Sequence, residues 1–184
     1  MNVLPVRILH FSPGTATGRH DGLRAALGLA GFLREAAVAH GIVQPVELVH
    51  AYPAVTSRDA VAAMLRGVGV LVVVTPTYAQ GSPWYVRRFF ELTAGMALWG
   101  IPATVMATSG GQHSGAEMAI ADTFRSLQGL GMATFTFAQK WLAIGSQQRH
   151  APDGEFDLVD TWFIRAMARV VLLHANLRHG RGDG

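Results

Sequence analysis

The chain has no cysteine, which excludes a disulfide framework, a thiolate zinc site and a cysteine nucleophile, and is compatible with a cytoplasmic location. Charge is scarce as well. Only 15% of the residues are Asp, Glu, Lys or Arg against 50% hydrophobic, so much of the surface must be covered by a core, a subunit interface or both. A homo-oligomer, dimer or tetramer, is expected. No apolar run reaches the roughly 18 residues of a membrane span, and the start MNVLPVRILH is broken by Pro5 and Arg7, so neither a span nor a signal peptide is read there. The formal charge of +3 comes from scattered arginines, apart from the pair Arg87 and Arg88 and the tail RHGRGDG, and no nucleic-acid partner is expected. Several motifs are missing too. There is no G-x-G-x-x-G after the first strand, no G-K-[ST] and no G-x-S-x-G, which argues against a dinucleotide fingerprint, a P-loop kinase and a hydrolase elbow. A phospho-receiver domain is disfavoured, because no acidic pair follows the first strand and Phe137-Ala138-Gln139, not lysine, ends the fifth. The histidines show no metal-ligand pairing, so no metal site is expected.

What is present is an alternation of strand and helix. The run Val68 to Thr75 is too apolar and β-branched to face water on either side, and reads as a central parallel strand. Ser82 and Pro83 after it look like the N-cap and first residue of a helix reaching to about Leu98. Val6 to Phe11, Val46 to His50, Ile101 to Ala107 and Met132 to Phe137 are the other four strands, with the more polar VELVH at the sheet edge. Between them, Leu23, Leu27, Ala30, Leu33 and Ala37 mark a helix stopped by Gly41, and Ser57 caps a short helix carrying Val61, Met64 and Leu65. Ser114 to Glu117 reads as a capping box opening a helix that stacks Met118, Ala121, Phe124 and Leu127, and Val159, Trp162, Ala166, Val170, Leu173 and Leu177 stripe the last helix. One domain over 1–184 with a frayed tail is expected: an α/β, doubly wound, five-stranded parallel sheet of order 2-1-3-4-5 with helices on both faces.

That order brings the loops after strands one, three and four to one edge, where open α/β sheets bind ligands. The first, Ser12 to His20, offers hydroxyls, glycine-permitted backbone N–H groups and a helix N-terminus, a natural seat for a phosphate monoester. In the second, Thr75 to Ser82, Tyr78 suits the covering of a flat ring while Pro76 and Gly81 shape the backbone. The third, Thr108 to Gly115, supplies N–H donors for the carbonyls and ring nitrogens of a planar heterocycle. One phosphate seat and two loops for a flat polar ring describe a flavin mononucleotide (FMN) site.

The runs TPTYAQGSPWYVRRFFEL, ATSGGQHSGAEMAI and LQGLGMATF resemble the flavodoxin-like NAD(P)H:quinone oxidoreductases of the tryptophan-repressor-binding-protein type and, more loosely, the NADPH-dependent FMN reductases. Thr15-Ala16-Thr17-Gly18 is similar to the T-x-T-G of the flavodoxin phosphate loop. The resemblance implies a flavodoxin-like fold with FMN as cofactor, NAD(P)H as co-substrate and a quinone-like acceptor. It implies that Thr15, Thr17, Gly18, Arg19 and His20, with Ser12 nearby, hold the phosphate. Pro76, Thr77, Tyr78, Gly81 and Ser82 line the ring and ribityl chain, and Ser109, Gly110, Gly111 and His113 approach the pyrimidine end.

Because the flavin carries the hydride step, no catalytic side chain is assigned. Tyr78 and Trp84 suit either a flavin partner or a helix-capping or interface aromatic, and His113 either a charge stabiliser or a loop hydrogen bond. Trp99 and Trp162 are read as core or subunit contacts, and Arg87 and Arg88 as solvated helix surface, with the holding of a nicotinamide cofactor's phosphate as the alternative. A flavodoxin-type electron carrier and a flavin-free binding or regulatory module on the same fold are the alternatives. The carrier ranks lower because such carriers tend to be acidic and this chain is basic.

Overall fold

The computed structural model describes residues 3–12, 21–78, 81–109, 115–135, 143–145 and 158–179. Its elements alternate as the sequence predicts: β1 (Val6–His10), α1 (Asp21–Ala39), β2 (Val46–His50), a short 3-10 turn (Tyr52–Ala54), α2 (Arg58–Leu65), β3 (Val70–Pro76), α3 (Trp84–Thr93), β4 (Pro102–Ser109), α4 (Ala116–Gly129), β5 (Ala133–Thr134), β6 (Ala143–Gly145) and α5 (Leu158–His179). All strand pairs are parallel and the order is β2-β1-β3-β4-β5, the expected 2-1-3-4-5, with the polar β2 at the edge. Val70 to Val74 are buried because the sheet is covered on both faces. One layer packs Val6, Ile8, Val72 and Val74 under α1 and α5; the other packs Leu9, Phe11, Val73 and Val105 under α2, α3 and α4.

The fifth strand differs from the expected Met132 to Phe137. Among the described residues Ala133–Thr134 form β5, against Pro102 and Ala103, with Phe135 N–H still donating to the Ala103 carbonyl at 3.0 Å, while Thr136 and Phe137 lie outside the described residues. Further along, the edge of β4 is taken by β6, which pairs Ala143 to Gly145 with Ala107 to Ser109. Two short segments therefore share the fifth position, the second of them inside what reads as a polar connection. Its signal in the sequence is the apolar run Trp141 to Ile144.

Helix details are corrected as well. Pro83, not Ser82, occupies the N-cap position of α3, and the helix ends at Thr93 rather than Leu98, before Gly95 at φ +75°. Gly115, at φ +85°, is the N-cap of α4 and makes no side-chain cap bond; Ser114, expected to open a capping box, lies outside the described residues. Ser57 does cap α2, accepting a bond from the Ala60 N–H at 3.2 Å. The expected stripes are rotated in part: Leu27, Met118 and Leu173 are exposed, while α5 buries Ile164, Met167, Ala168, Val171 and Leu172. Trp99 is 86% exposed and is not core. It lies before β4, at the amino ends of the strands, with its indole against Gly131, where a Cβ would stand 2.8 Å from its ring.

Arg7 is a strut that hydropathy reads only as an interruption. It pairs with Glu47 across β1 and β2, and its Nη1 donates to the carbonyls of Met64 at 2.7 Å and Arg66 at 2.9 Å. Its burial is therefore matched by the charge of a carboxylate and by the otherwise unbonded carbonyls at the end of α2.

Candidate functional site

Parallel pairing puts the carboxyl ends of β1, β3 and β4 along one edge. His10 pairs with Val74 and Pro76 with Thr108. The ladder runs one step further on each side, with Phe11 N–H donating to the Val74 carbonyl at 2.9 Å and Thr77 N–H to the Thr108 carbonyl at 2.8 Å. Ser12, Thr77 and Ser109 thus stand at the roots of three adjacent loops.

Ser12 is 5% exposed and, among the described residues, its hydroxyl has no hydrogen-bond partner. It lies under the first turn of α1, against the bare Cα of Gly22: a Cβ there would be 2.1 Å from Ser12 Oγ and 3.5 Å from Thr108 Oγ1. A 19-residue helix thus points its N-terminus, with its partial positive charge, at a buried and unpartnered hydroxyl. The expected phosphate residues Thr15, Thr17, Gly18, Arg19 and His20 lie outside the described residues.

Beneath this root lies a histidine pair. His10 and His50 are register partners on β1 and β2, stacked at 4.4 Å with 8° between the rings. His50 Nε2 lies 2.9 Å from the Ser12 carbonyl, which only accepts, so that nitrogen carries the proton. His10 is buried with its Nδ1 unpartnered, and burial, followed by the neighbouring His50, lowers its pKa to about 4. The pair is legible in the sequence only as two strands that both end in His, ILH and LVH.

At the root of the second loop, Pro76 closes β3 and the buried Thr77 Oγ1 has no partner among the described residues. Tyr78 and Gly81 close the turn with two backbone bonds, Tyr78 N–H to the Gly81 carbonyl at 3.1 Å and Gly81 N–H to the Tyr78 carbonyl at 3.0 Å. Tyr78 is half exposed. A Cβ on Gly81 would meet only ordinary contacts, 3.6 Å from Arg87 and 3.7 Å from Asp122, so space does not demand glycine there. The Ser82 hydroxyl turns away from α3 and lies 3.0 Å from both the Ala119 carbonyl and Thr123 Oγ1, tying the loop to α4.

Ser109 ends β4, and Gly110, Gly111 and His113 lie outside the described residues. The left-handed Gly115 then starts α4 with no side-chain cap bond, leaving the third loop followed by a helix whose first turn is not capped by its N-cap residue. Gly22, His10 and His50 join the site although nothing in the motif pattern marks them; each is recruited by strand pairing or by helix packing.

No protein-family model matches the sequence, and no curated protein does. Among solved structures, the chain is similar to a flavodoxin, WrbA-like protein from Agrobacterium tumefaciens, with 14% identity and a TM-score of 0.70 over 95% of this chain and 99% of that one. It is similar to FerB, a flavoenzyme NAD(P)H:(acceptor) oxidoreductase from Paracoccus denitrificans, with 17% identity and a TM-score of 0.69 over 96% and 99%. A short-chain flavodoxin associated with a bacterial microcompartment matches at 16% identity and a TM-score of 0.63 over 94% and 99%. At these identities the likeness is one of fold, and the fold is flavodoxin-like.

Proposed function

We propose that the chain is an FMN-dependent NAD(P)H oxidoreductase that reduces quinones or similar small electron acceptors. The observation that carries this reading is the buried Ser12 hydroxyl, without a partner among the described residues, under the N-terminus of α1, with Gly22 leaving room for it. A phosphate monoester supplies what that arrangement lacks, an acceptor for the hydroxyl and a counter-charge for the helix end. The buried Thr77 Oγ1, also unpartnered, offers a second polar contact one loop away, suited to a ribityl chain.

In this reading Ser12, Thr15, Thr17, Gly18, Arg19 and His20 hold the phosphate. Pro76, Thr77 and Tyr78 line the ring and ribityl side, and Gly81 and Ser82 hold that turn in place. Ser109, Gly110, Gly111 and His113 direct donors to the pyrimidine end. When bound, FMN would supply the two-electron redox chemistry between NAD(P)H and the acceptor. The chain's own work is to bind, orient and steady negative charge on the ring through donors of the third loop. A homodimer or homotetramer is supported by the exposed Leu27, Val38, Trp84, Trp99 and Met118.

The test is to incubate the purified protein with excess FMN, remove unbound flavin and record the absorption spectrum. Retained flavin, followed by NAD(P)H oxidation in the presence of a naphthoquinone, supports the proposal. Retained flavin without NAD(P)H turnover moves the reading to an electron carrier, and a protein that retains no flavin overturns it.

A further inference from the structure

Beside the β3–α3 turn lies an open cavity of about 520 Å³ whose walls include Tyr52, Tyr78, Trp84, Tyr85 and Arg87. No described residue of the first or third loop lines it; Tyr52 comes instead from the turn after β2. It is a neighbour of the flavin site proposed above, sharing with it the Tyr78–Gly81 turn as a wall.

The lining has three properties that together define a ligand. The first is flat apolar surface. Tyr85 forms the floor, with Tyr52 edge-to-face at 4.6 Å and Trp84 at 5.7 Å. Above it Trp84 is 73% and Tyr78 50% exposed, leaving aromatic faces for offset stacking. The second is a hydrogen-bonding group without a partner. Tyr85 is 5% exposed, and among the described residues no group stands at hydrogen-bond distance and angle from its hydroxyl, although the Tyr78 hydroxyl lies near. Burial raises its pKa and the neighbouring Tyr78 hydroxyl raises it further, so the group stays a neutral O–H donor. A buried hydroxyl left unbonded is costly, and a ligand oxygen removes that cost. The third is charge. Among the described residues Arg87 pairs with Asp122, at 3.9 Å, and Arg125 shares the same carboxylate at 3.5 Å. Two guanidinium groups against one carboxylate leave this rim positive.

We propose that this cavity is a second ligand site that takes a planar aromatic compound bearing an anionic group, its ring against Trp84 and Tyr78, one oxygen on the Tyr85 hydroxyl and its charge at Arg87. The site stands on its own residues and does not require that the neighbouring loops hold flavin.

The test uses 2-naphthoate and 2-naphthamide, which share a ring and a carbonyl and differ in charge. Each is titrated calorimetrically into the full chain, with and without saturating FMN. Naphthoate is expected to bind about fivefold more tightly, the scale of a partly exposed ion pair. Arg87→Gln should abolish that preference and leave naphthamide binding unchanged, while Tyr85→Phe should weaken both compounds about fivefold. FMN retention, measured on the same samples, should be unaltered in both variants. Equal affinity for the two compounds, absence of binding, or displacement of naphthoate by FMN overturns the proposal. So does a chain whose sedimentation is that of an oligomer and in which Trp84→Glu yields monomers, with neither compound binding before or after. Loss of flavin retention with naphthoate preference intact sinks only the flavin reading.

Discussion

The hydroxyl of Ser12 occupies the space that a side chain at Gly22 would fill, with only 2.1 Å between Oγ and an added Cβ. A serine hydroxyl turns easily about χ1, so Gly22→Ala forces it out of place without forcing the backbone. Helix propensity favours the alanine by up to about 1 kcal/mol. Gly22→Ala should therefore fold at least as well as the parent chain by thermal denaturation while binding FMN about tenfold more weakly, the scale of one charge-assisted hydrogen bond. Ser12→Ala should lose the same affinity, and the double variant no more than either single one. Unchanged FMN affinity in both single variants would remove Ser12 from the phosphate seat.

The His10–His50 stack sets a pH dependence with a definite sign. His10 titrates at about 4 in the folded chain against an ordinary value of 6.5, because burial and His50 disfavour its charged form. Between those values the unfolded chain binds the proton and the folded one does not, so stability falls as pH drops from 6.5 toward 4 and is fully present above 6.5. The loss is at most about 3 kcal/mol. Burial also lowers His174, which acts in the same direction. Urea denaturation at pH 7 and pH 5 should show a clear loss in the parent chain and a smaller one in His10→Phe. Equal losses in the two would place the sensitivity elsewhere.

Arg7 should be more important to stability than a charged residue in a strand ordinarily is. Arg7→Met keeps the volume but strands the Met64 and Arg66 carbonyls and leaves Glu47 without its partner. Glu47 is partly exposed, which limits the ion-pair share, and a loss of about 2 kcal/mol is expected. It is measured as a lower urea midpoint with unchanged m-value. Flavin retention should not move, since Arg7 lies toward the amino end of β1, away from the loops.

Ser82 acts through α4. Removing its hydroxyl with Ser82→Ala unlinks the second loop from Ala119 and Thr123, while Thr123 keeps its own bond to the Ala119 carbonyl at 2.7 Å. The expected cost is about 1 kcal/mol. Amide exchange at Tyr78 and Gly81 should accelerate more than in the β-strands. Exchange that speeds up uniformly would show that the tie does not hold the turn.

Much of this architecture is already present in local sequence. Apolar, β-branched runs such as Val70 to Val74 are strands whatever surrounds them, the polar VELVH marks an edge, and Ser57 signals a helix start three residues before the N–H it accepts. From strand type and alternation follow the parallel order and the gathering of three loops at one edge. What tertiary structure decided is everything that depends on a distant partner. Periodicity put Leu173 on the stripe of the last helix, but packing on α1 and the sheet buries Leu172 and leaves Leu173 exposed. The hydroxyl of Ser82 faces Thr123 rather than its own helix, Arg7 reaches the carbonyls of α2, and His10 meets His50 only because β1 pairs with β2 in register. Periodicity is a property of neighbours along the chain, whereas these bonds join residues far apart in sequence, and only the closed fold brings them within reach.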